Sequence, residues 1–305
     1  MKLSVVTTLY QSAPYINEFF ERARKVAEEV SGECEFVFVN DGSPDESLDI
    51  VLQLQAHDDR ITVVDLSRNF GHHRALMVGL EFSSGDLVFL IDVDLEEEPE
   101  LLIPFFECIQ DTNADSVYGV QSKRKGGIIE RQSGEIFYRL LNFISGYDMP
   151  RNTLVARLMN RKFVDSLLLF KEREIDIAGL LYMTGFTQVP VFVKKHSKQD
   201  TAYTLPRKLA LALRSMTAFS RRPLIIIFVV GLLILIVTGV ASLYYFINFF
   251  ASGRVPSGFT SIMISIWFLG GLGIFCTGLV ALYISIIFTE VKTRPASIIK
   301  NIYKL

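Results

Sequence analysis

The sequence has little cysteine, no strong net charge and no glycine-rich phosphate loop. Its three cysteines, Cys34, Cys108 and Cys276, are far apart and odd in number, so neither a disulfide framework nor a cysteine metal site is expected. A formal net charge of −2 excludes a strongly basic nucleic-acid-binding protein. Neither G-x-G-x-x-G nor G-x-x-x-x-G-K-[ST] is present after a strand-like run, so a bound nucleotide is not held by either glycine cradle.

Long stretches without charge are present, and they lie in the last third of the chain. Residues 224–250 and 262–288 each span 27 positions without a charged side chain, and about 20 apolar residues are enough to cross a membrane. A buried helix of a soluble protein is the alternative, and two runs of this length disfavour it. We therefore predict two transmembrane helices within residues 223–290.

The basic residues around these runs predict the orientation in the membrane. The loop between the runs carries only Arg254, whereas the outer flanks carry Arg207, Lys208, Arg214, Arg221, Arg222, Lys292, Arg294, Lys300 and Lys304. The positive-inside rule then places both termini in the cytoplasm. The opening run "LSVVTTLY" is too short for the apolar core of a signal peptide. We predict a cytoplasmic domain over residues 1–204 and a cytoplasmic tail over residues 291–305.

Alternating strand-like and helix-like segments predict the fold of the first 120 residues. The runs "LSVVTTLY", "CEFVFVND", "ITVVDLS" and "DLVFLIDVD" are short and rich in Val, Ile and Phe, as in strands buried on both faces of a parallel sheet. Helix-compatible segments separate them, so we predict an α/β domain with a mixed, mainly parallel sheet and flanking helices. Ligands of such domains bind beyond the carboxyl ends of the strands. Polar residues occupy those ends: Thr8 and Tyr10, Asp41, Arg68, and Asp92 with Asp94.

The acidic stretch "DVDLEEEPE" predicts a metal site followed by a helix start. Two carboxylates, Asp92 and Asp94, suit Mg²⁺ or Mn²⁺ bound together with phosphate oxygens. Pro99 is a typical first-turn residue, and acidic side chains are favoured at a helix N-terminus. Glu97, Glu98 and Glu100 are therefore interpreted as solvated helix-start residues, while Glu96 is open to either role.

These motifs resemble those of family 2 glycosyltransferases with a GT-A fold. "SVVTTLYQSAPYI", "FVFVNDGSPDES" and the stretch reaching "FLIDVDLEEEPE" carry the resemblance, which continues through "ARLMNRKFVDSL" and "KHSKQDTAYT". With two membrane helices after them, they are similar to bacterial polyprenyl-phosphate glycosyltransferases, relatives of dolichyl-phosphate mannose synthase. The resemblance covers nearly the whole chain and implies a multi-pass protein of the bacterial cell membrane.

The resemblance implies a role for individual residues. The nucleotide sugar, a UDP- or GDP-sugar, would be bound by Thr8, Tyr10, Asp41, Arg68, Asp92 and Glu96. The acceptor phosphate would be bound by Arg131, Arg157, Ser197, Lys198 and Tyr203. Catalysis would rest on Asp92, Asp94, Arg124, Arg131, Arg157 and Lys198, with Asp94 as the metal ligand.

The implied reaction is inverting transfer of a sugar to undecaprenyl phosphate. The chain departs from the family in having Glu96 where Gln is usual, and Val155–Ala156 where an acid often precedes the "RLM" arginine. An already ionised phosphate acceptor needs positioning more than a protein base.

Two further features of the sequence have two interpretations each. The basic run at residues 123–125 is either a solvated surface or a ligand-binding loop. His72 either contacts a ligand or packs against neighbouring side chains.

Residues 205–222 have an apolar stripe opposite basic residues, which predicts a helix in the membrane interface or one packed on the domain.

Two other functions are considered. One is a transferase that elongates a lipid-diphosphate-linked glycan; the other is a non-catalytic scaffold or nucleotide-sugar sensor, whose function would survive Asp94→Ala. A processive synthase is disfavoured because Q-x-x-R-W is absent. The glycine-bearing second membrane run makes a homo-oligomer a further expectation.

Overall fold

The computed structural model describes residues 1–121, 153–172, 177–193 and 258–304, with isolated positions between 227 and 247. The chain divides into two compact units. The first contains Met1–Tyr138, Asp148–Ala202 and Arg294–Leu305, and the second contains Arg139–Tyr147 and Tyr203–Thr293. The predicted boundaries at residues 204, 222 and 290 stay predictions.

Eight strands and seven α-helices have defined bounds in the described residues. The strands are β1 Lys2–Leu9, β2 Glu33–Asn40, β3 Ile61–Leu66, β4 Leu87–Leu90, β5 Ser116–Gln121, β6 Thr153–Asn160, β7 Gln188–Val193 and β8 Ile299–Tyr303. The helices are α1 Ile16–Val30, α2 Ser47–Gln55, α3 His72–Phe82, α4 Leu102–Thr112, α5 Arg161–Leu167, α6 Ile177–Met183 and α7 Phe259–Val291, with a 3-10 turn at Pro99–Leu101.

The strands form one mixed sheet in the order β7-β5-β6-β4-β1-β2-β3-β8. The central strands β4, β1, β2 and β3 are parallel to one another, and β5 is parallel to β7. Strand β6 pairs antiparallel with both β4 and β5, and strand β8 pairs antiparallel with β3. This arrangement confirms the predicted α/β class with a mixed sheet.

The hydrophobic core is formed by strands that are buried on both faces, as their apolar runs predicted, and by the helices packed against them. Seven of the eight residues of β1 are buried. Helix α1 buries one face, including Phe19 and Phe20, and the ring of Phe20 meets that of Phe36 on β2 edge-on at 5.1 Å. On the other side of β1, Phe89 of β4 contacts Phe105 of α4 at 6.2 Å. Each buried aromatic side chain contributes about 1.5–3 kcal/mol, so these helices fix the sheet whose edge carries the polar residues.

The tail after α7 returns to the sheet. Ile299 pairs with Leu66 and Asn301 with Asp65, so β8 lies antiparallel on the outer side of β3. Ser67 also donates its backbone N–H to the carbonyl of Ile298 at 2.9 Å. Because unpaired strand edges are prone to non-native pairing, β8 covers an edge that β3 would otherwise expose.

One described helix is long and apolar enough to cross a membrane. It covers Leu269–Val291, with a mean hydropathy of 2.2, and none of it is buried within the protein. Exposed apolar side chains along it include Ile274, Leu282 and Ile287. The described positions between 227 and 247 are helical, but most of the first predicted span and all of residues 205–222 lie outside the described residues.

Candidate functional site

The polar residues predicted at strand ends share one edge of the sheet. Strands β4, β1, β2 and β3 are parallel neighbours, so their carboxyl ends meet at the same side. Thr8 is the second-last residue of β1, Asp41 directly follows β2, Arg68 follows β3 and Asp92 follows β4. The sheet topology therefore brings these four predicted donor-site residues to one edge.

His72, the first residue of α3, links two of these strand ends. Its Nδ1 lies 3.2 Å from the hydroxyl of Thr8, and its Nε2 lies 3.4 Å from Oδ1 of Asp92. Partial removal from water lowers the pKa of His72, an effect strengthened by His73 and opposed by Asp41 and Asp94. A neutral ring with its proton on Nε2 faces Asp92 and leaves Nδ1 to accept from Thr8.

Asp41 is buried and holds the segment that precedes α3. Its side chain accepts the backbone N–H groups of Phe70 at 2.7 Å and Gly71 at 3.0 Å. Burial raises the pKa of Asp41 above its ordinary value, while the two backbone donors oppose the rise. Asp41 thus positions the start of α3, and with it His72.

Two glycines shape the loops at this edge. Gly42 has φ +60°, and a Cβ there would lie 2.4 Å from the carbonyl carbon of Arg68, so the loops after β2 and β3 approach each other more closely than another residue would allow. Gly71 is the N-cap of α3 with φ +101°, a value that glycine adopts without strain.

Asp92 and Asp94 lie in a turn beyond β4. The predicted strand "DLVFLIDVD" is therefore wrong at its end, since β4 stops at Leu90. Asp94 Oδ1 accepts the N–H of Glu96 at 3.0 Å, and Leu95 has φ +60°, an uncommon value for a branched side chain. This side-chain hydrogen bond supports the turn that holds both carboxylates.

The described residues fit a metal shared with a ligand better than one enclosed by protein. They contain no group of three or more His, Cys, Asp and Glu side chains that could hold an ion. Mg²⁺ is commonly held by one or two carboxylates together with substrate phosphates. Asp92 and Asp94 are two carboxylates in one turn, which is compatible with such a shared site.

Glu97 is a correction to the sequence interpretation, because it is not a solvated helix-start residue. It is 2% exposed, and its carboxylate accepts the backbone N–H groups of Val155 at 3.2 Å and Ala156 at 2.6 Å. Strand β4 ends opposite Arg157, so these two amides lie just beyond the end of β4. The carboxylate of Glu97 therefore accepts the backbone N–H groups that would pair with β4 if that strand were longer. Glu100, by contrast, is partly exposed and pairs with Arg22 at 2.6 Å.

Arg157 is a buried cation on β6, the strand that pairs with β4. It is 6% exposed and pairs with Leu90, two residues before Asp92. Among the described residues, its guanidinium contacts two carbonyls at 3.4–3.5 Å and lies 5.9 Å from the ring of Tyr118, and no described carboxylate is within ion-pair distance. Burial lowers its pKa to about 10. A buried guanidinium is suited to bind an anion.

The remaining predicted residues fall into two groups. Tyr10 and Arg68 are exposed at the same edge, with Arg68 stacked 4.3 Å from the ring of Phe70. The others lie outside the described residues: Arg124, Arg131, Ser197, Lys198 and Tyr203. The sequence interpretation did not select Glu97, and it left His72 open. The signal for His72 was its place directly after a glycine at a helix start, whereas Glu97 had no signal separable from its acidic neighbours.

The sequence comparisons identify the class of protein that this site serves. Residues 4–168 match the profile described as Glycosyl transferase family 2. The chain belongs to this family, and it is a glycosyltransferase, which confirms the resemblance seen in its motifs.

Individual relatives align over nearly the full length. A Mycobacterium tuberculosis (strain CDC 1551 / Oshkosh) protein named among the glycosyltransferases is 46% identical, over 99% of this chain and 89% of that protein. The bactoprenol glucosyl transferase of Shigella phage SfII is 34% identical, over 100% of this chain and 99% of that protein. A solved mannosyltransferase from Pyrobaculum calidifontis, in complex with GDP-Man and Mn²⁺, covers 71% of this chain and 63% of its own at 17% identity. Its TM-score of 0.47 is too low to carry residue roles to this chain.

Proposed function

We propose that this glycosyltransferase moves a sugar from a nucleoside-diphosphate sugar to a polyprenyl phosphate in the bacterial cell membrane. The observation that carries the proposal is the position of the buried Arg157 on β6, opposite Leu90, the last residue of β4 before the turn with Asp92 and Asp94. An anion-binding cation and a pair of metal-binding carboxylates are what a phosphate acceptor and a diphosphate donor require. The relatives named bactoprenol glucosyl transferase support the lipid acceptor. We also propose that the catalytic domain has the GT-A fold.

The donor is assigned to the edge formed by β4, β1, β2 and β3. Thr8 and Tyr10 at the end of β1, Arg68 after β3, and Asp92 with Glu96 after β4 would surround the nucleotide and sugar. Asp41 is occupied by the N–H groups of Phe70 and Gly71. Its main contribution would be to hold the loops around the nucleotide, because its side chain is buried.

The acceptor phosphate is assigned to Arg157. Its bidentate donors suit a phosphate, and desolvation strengthens the attraction between the two charges. Arg124, Arg131, Ser197, Lys198 and Tyr203 would complete the phosphate contacts, as the family resemblance implies.

The chemical step is a single in-line displacement. An oxygen of the acceptor phosphate forms a bond to the anomeric carbon while the bond from that carbon to the distal phosphate oxygen of the donor breaks. The nucleoside diphosphate leaves with the electron pair, and the configuration at the anomeric carbon inverts. The attacking phosphate is ionised at neutral pH, so no protein base is required, consistent with the absence of an acid at Val155–Ala156.

A divalent ion would be held by Asp92 and Asp94 and would neutralise the charge of the departing diphosphate. Mg²⁺ and Mn²⁺ both prefer oxygen ligands. The residues of this chain would orient the two substrates and keep water from the anomeric carbon.

The membrane location rests on the apolar helix α7 and on charge. Its span Leu269–Val291 exposes apolar side chains along its length, which in water would favour association. Lys292 and Arg294 follow it directly, as expected for a cytoplasmic end. A two-span anchor, with the interfacial helix at residues 205–222, would keep the site at the depth of lipid phosphates.

The test is transfer by the purified full-length protein in lipid nanodiscs containing undecaprenyl phosphate. UDP-glucose, UDP-N-acetylglucosamine and GDP-mannose are supplied in turn with Mg²⁺ or Mn²⁺, and products are identified by mass spectrometry. The expected product is a monosaccharide phospholipid labile to mild acid, formed from one donor and lost on addition of EDTA. Formation of an elongated oligosaccharide instead supports the alternative acceptor, a lipid-diphosphate-linked glycan. Donor binding without any transfer supports the non-catalytic alternative.

A further inference from the structure

Asp65, at the outer side of the sheet, is a buried carboxylate outside the site described above. Its side chain is 3% exposed, and its Oδ1 accepts a hydrogen bond from Asn40 Nδ2 at 2.8 Å. Its Oδ2 makes no hydrogen bond to a described residue, but the ammonium of Lys300 on β8 lies 3.6 Å away. A buried carboxylate is costly without a counter-charge, and the ammonium of Lys300 is the nearest described counter-charge of Asp65.

The charge on Asp65 determines how the Asn40 amide is oriented. An ionised carboxylate only accepts hydrogen bonds, so it requires the NH₂ group of Asn40 on its side. The oxygen of the amide then faces Ser43 and accepts its backbone N–H at 3.2 Å. Asn40 is 3% exposed, so water does not compete for either contact.

Ser43 lies in the loop that leads from β2 to the donor site. Its hydroxyl accepts the N–H of Gln11 at 2.7 Å, which joins the loop after β2 to the loop after β1. In the same loop, Asp41 holds the start of α3 through Phe70 and Gly71. Ser43 therefore connects the loops after β1 and β2, which border the proposed donor site.

We propose that Lys300, Asp65 and Asn40 form a tail relay through which strand β8 positions the nucleotide-binding loop after β2. Lys300 and Asp65 are positioning residues, and neither touches the substrates. The inference rests on the proposed donor site at this edge of the sheet. It means that donor affinity depends on the segment that follows the membrane helix α7.

The experiment compares Lys300→Met, which keeps the side-chain length, with Lys300→Arg, which keeps the charge. Lys304→Met is the matched control, because it removes the same charge from the same tail just beyond β8. Full-length proteins in nanodiscs are measured for Kd of UDP and GDP, KM for donor and acceptor, kcat, and hydrogen exchange of residues 41–43. Asp65→Ala is a second, more severe variant.

Lys300→Met is expected to raise the nucleotide Kd and donor KM by about threefold to tenfold, the effect of one misplaced hydrogen-bonding group. It should speed hydrogen exchange at residues 41–43 and leave kcat and acceptor KM unchanged. Lys300→Arg should restore the native values, and Lys304→Met should match them.

Unchanged Kd, donor KM and exchange in Lys300→Met would overturn the relay, even if its melting temperature falls, because β8 would then only cover the sheet edge. If native protein binds UDP or GDP without transferring sugar, the proposed function fails while the relay is still tested by Kd and exchange. If native protein binds neither nucleotide, both proposals are overturned.

Discussion

Replacing Glu97 is the sharpest test of how the site is built. Its carboxylate accepts two backbone N–H groups of β6, at 3.2 and 2.6 Å, in a position that is 2% exposed. Glu97→Gln keeps the shape but replaces one accepting oxygen with an NH₂ group that faces a backbone donor. One buried N–H then loses its partner, at a cost of about 1–3 kcal/mol. Arg157, on the same strand β6, also loses a neighbouring negative charge that raises its pKa.

The assay is thermal unfolding of the full-length protein in detergent, followed by acceptor KM. A loss of about 2 kcal/mol corresponds to a fall of about 4–8 °C in Tm for a domain of this size. Glu97→Ala should fall further, because both amides lose their partner. Acceptor KM should rise in Glu97→Gln while donor KM changes less, since Arg157 lies on the strand that Glu97 holds.

Glu98→Gln is the matched control, because Glu98 is the adjacent, partly exposed carboxylate before Pro99 and its side chain forms no cap hydrogen bond. It should melt close to the native protein. A Glu97→Gln protein that melts within about 1 °C of native would refute the reasoning, since two buried charge-assisted hydrogen bonds cannot be altered at so small a cost.

Three further outcomes are expected. Asp94→Asn keeps the oxygen that accepts the N–H of Glu96, so it should retain its Tm while transfer falls by about a hundredfold or more; a Tm loss of the same size as in Glu97→Gln would contradict this. Arg157→Met should abolish transfer yet match or exceed the native Tm, because it removes a buried cation that has no described carboxylate partner; retained acceptor KM would contradict the assignment. Hydrogen bonds from Lys2, Ser4 and Ser84 outweigh burial and lower the pKa of Glu35 from 4.5 to about 2, so its stabilising contribution is present above pH 4.5 and lost as pH falls towards 2. Glu35→Gln should flatten Tm against pH in that window, and an unchanged slope would exclude Glu35 as the cause.

Local patterns in the sequence were sufficient to predict the centre of the fold. The first four strands and the helices between them follow from short apolar runs and the turns that separate them. A parallel order of those strands is enough to place Thr8, Asp41, Arg68 and Asp92 at one edge. The family motifs added Arg157, which is otherwise one arginine among many.

The rest depends on contacts between residues that are distant in sequence. Glu97 looks like its acidic neighbours until β6 is placed beside the end of β4, because the amides it binds belong to another strand. The pairing of Asp65 with Lys300 likewise requires β8 to lie on β3, and nothing in "SIIKNIY" predicts which strand it joins. The end of β4 at Leu90 was missed because Ile91 and Val93 continue the apolar pattern into the turn.

The return of β8 to the sheet restricts how the chain is threaded and when the domain is complete. If α7 crosses a bilayer, a chain whose strands β7 and β8 both belong to the same sheet must cross it an even number of times, and the apolar run at residues 224–250 is the predicted second crossing. During synthesis the outer edge of β3 stays open until residues 299–303 have emerged, so the sheet is completed only after α7 has been made.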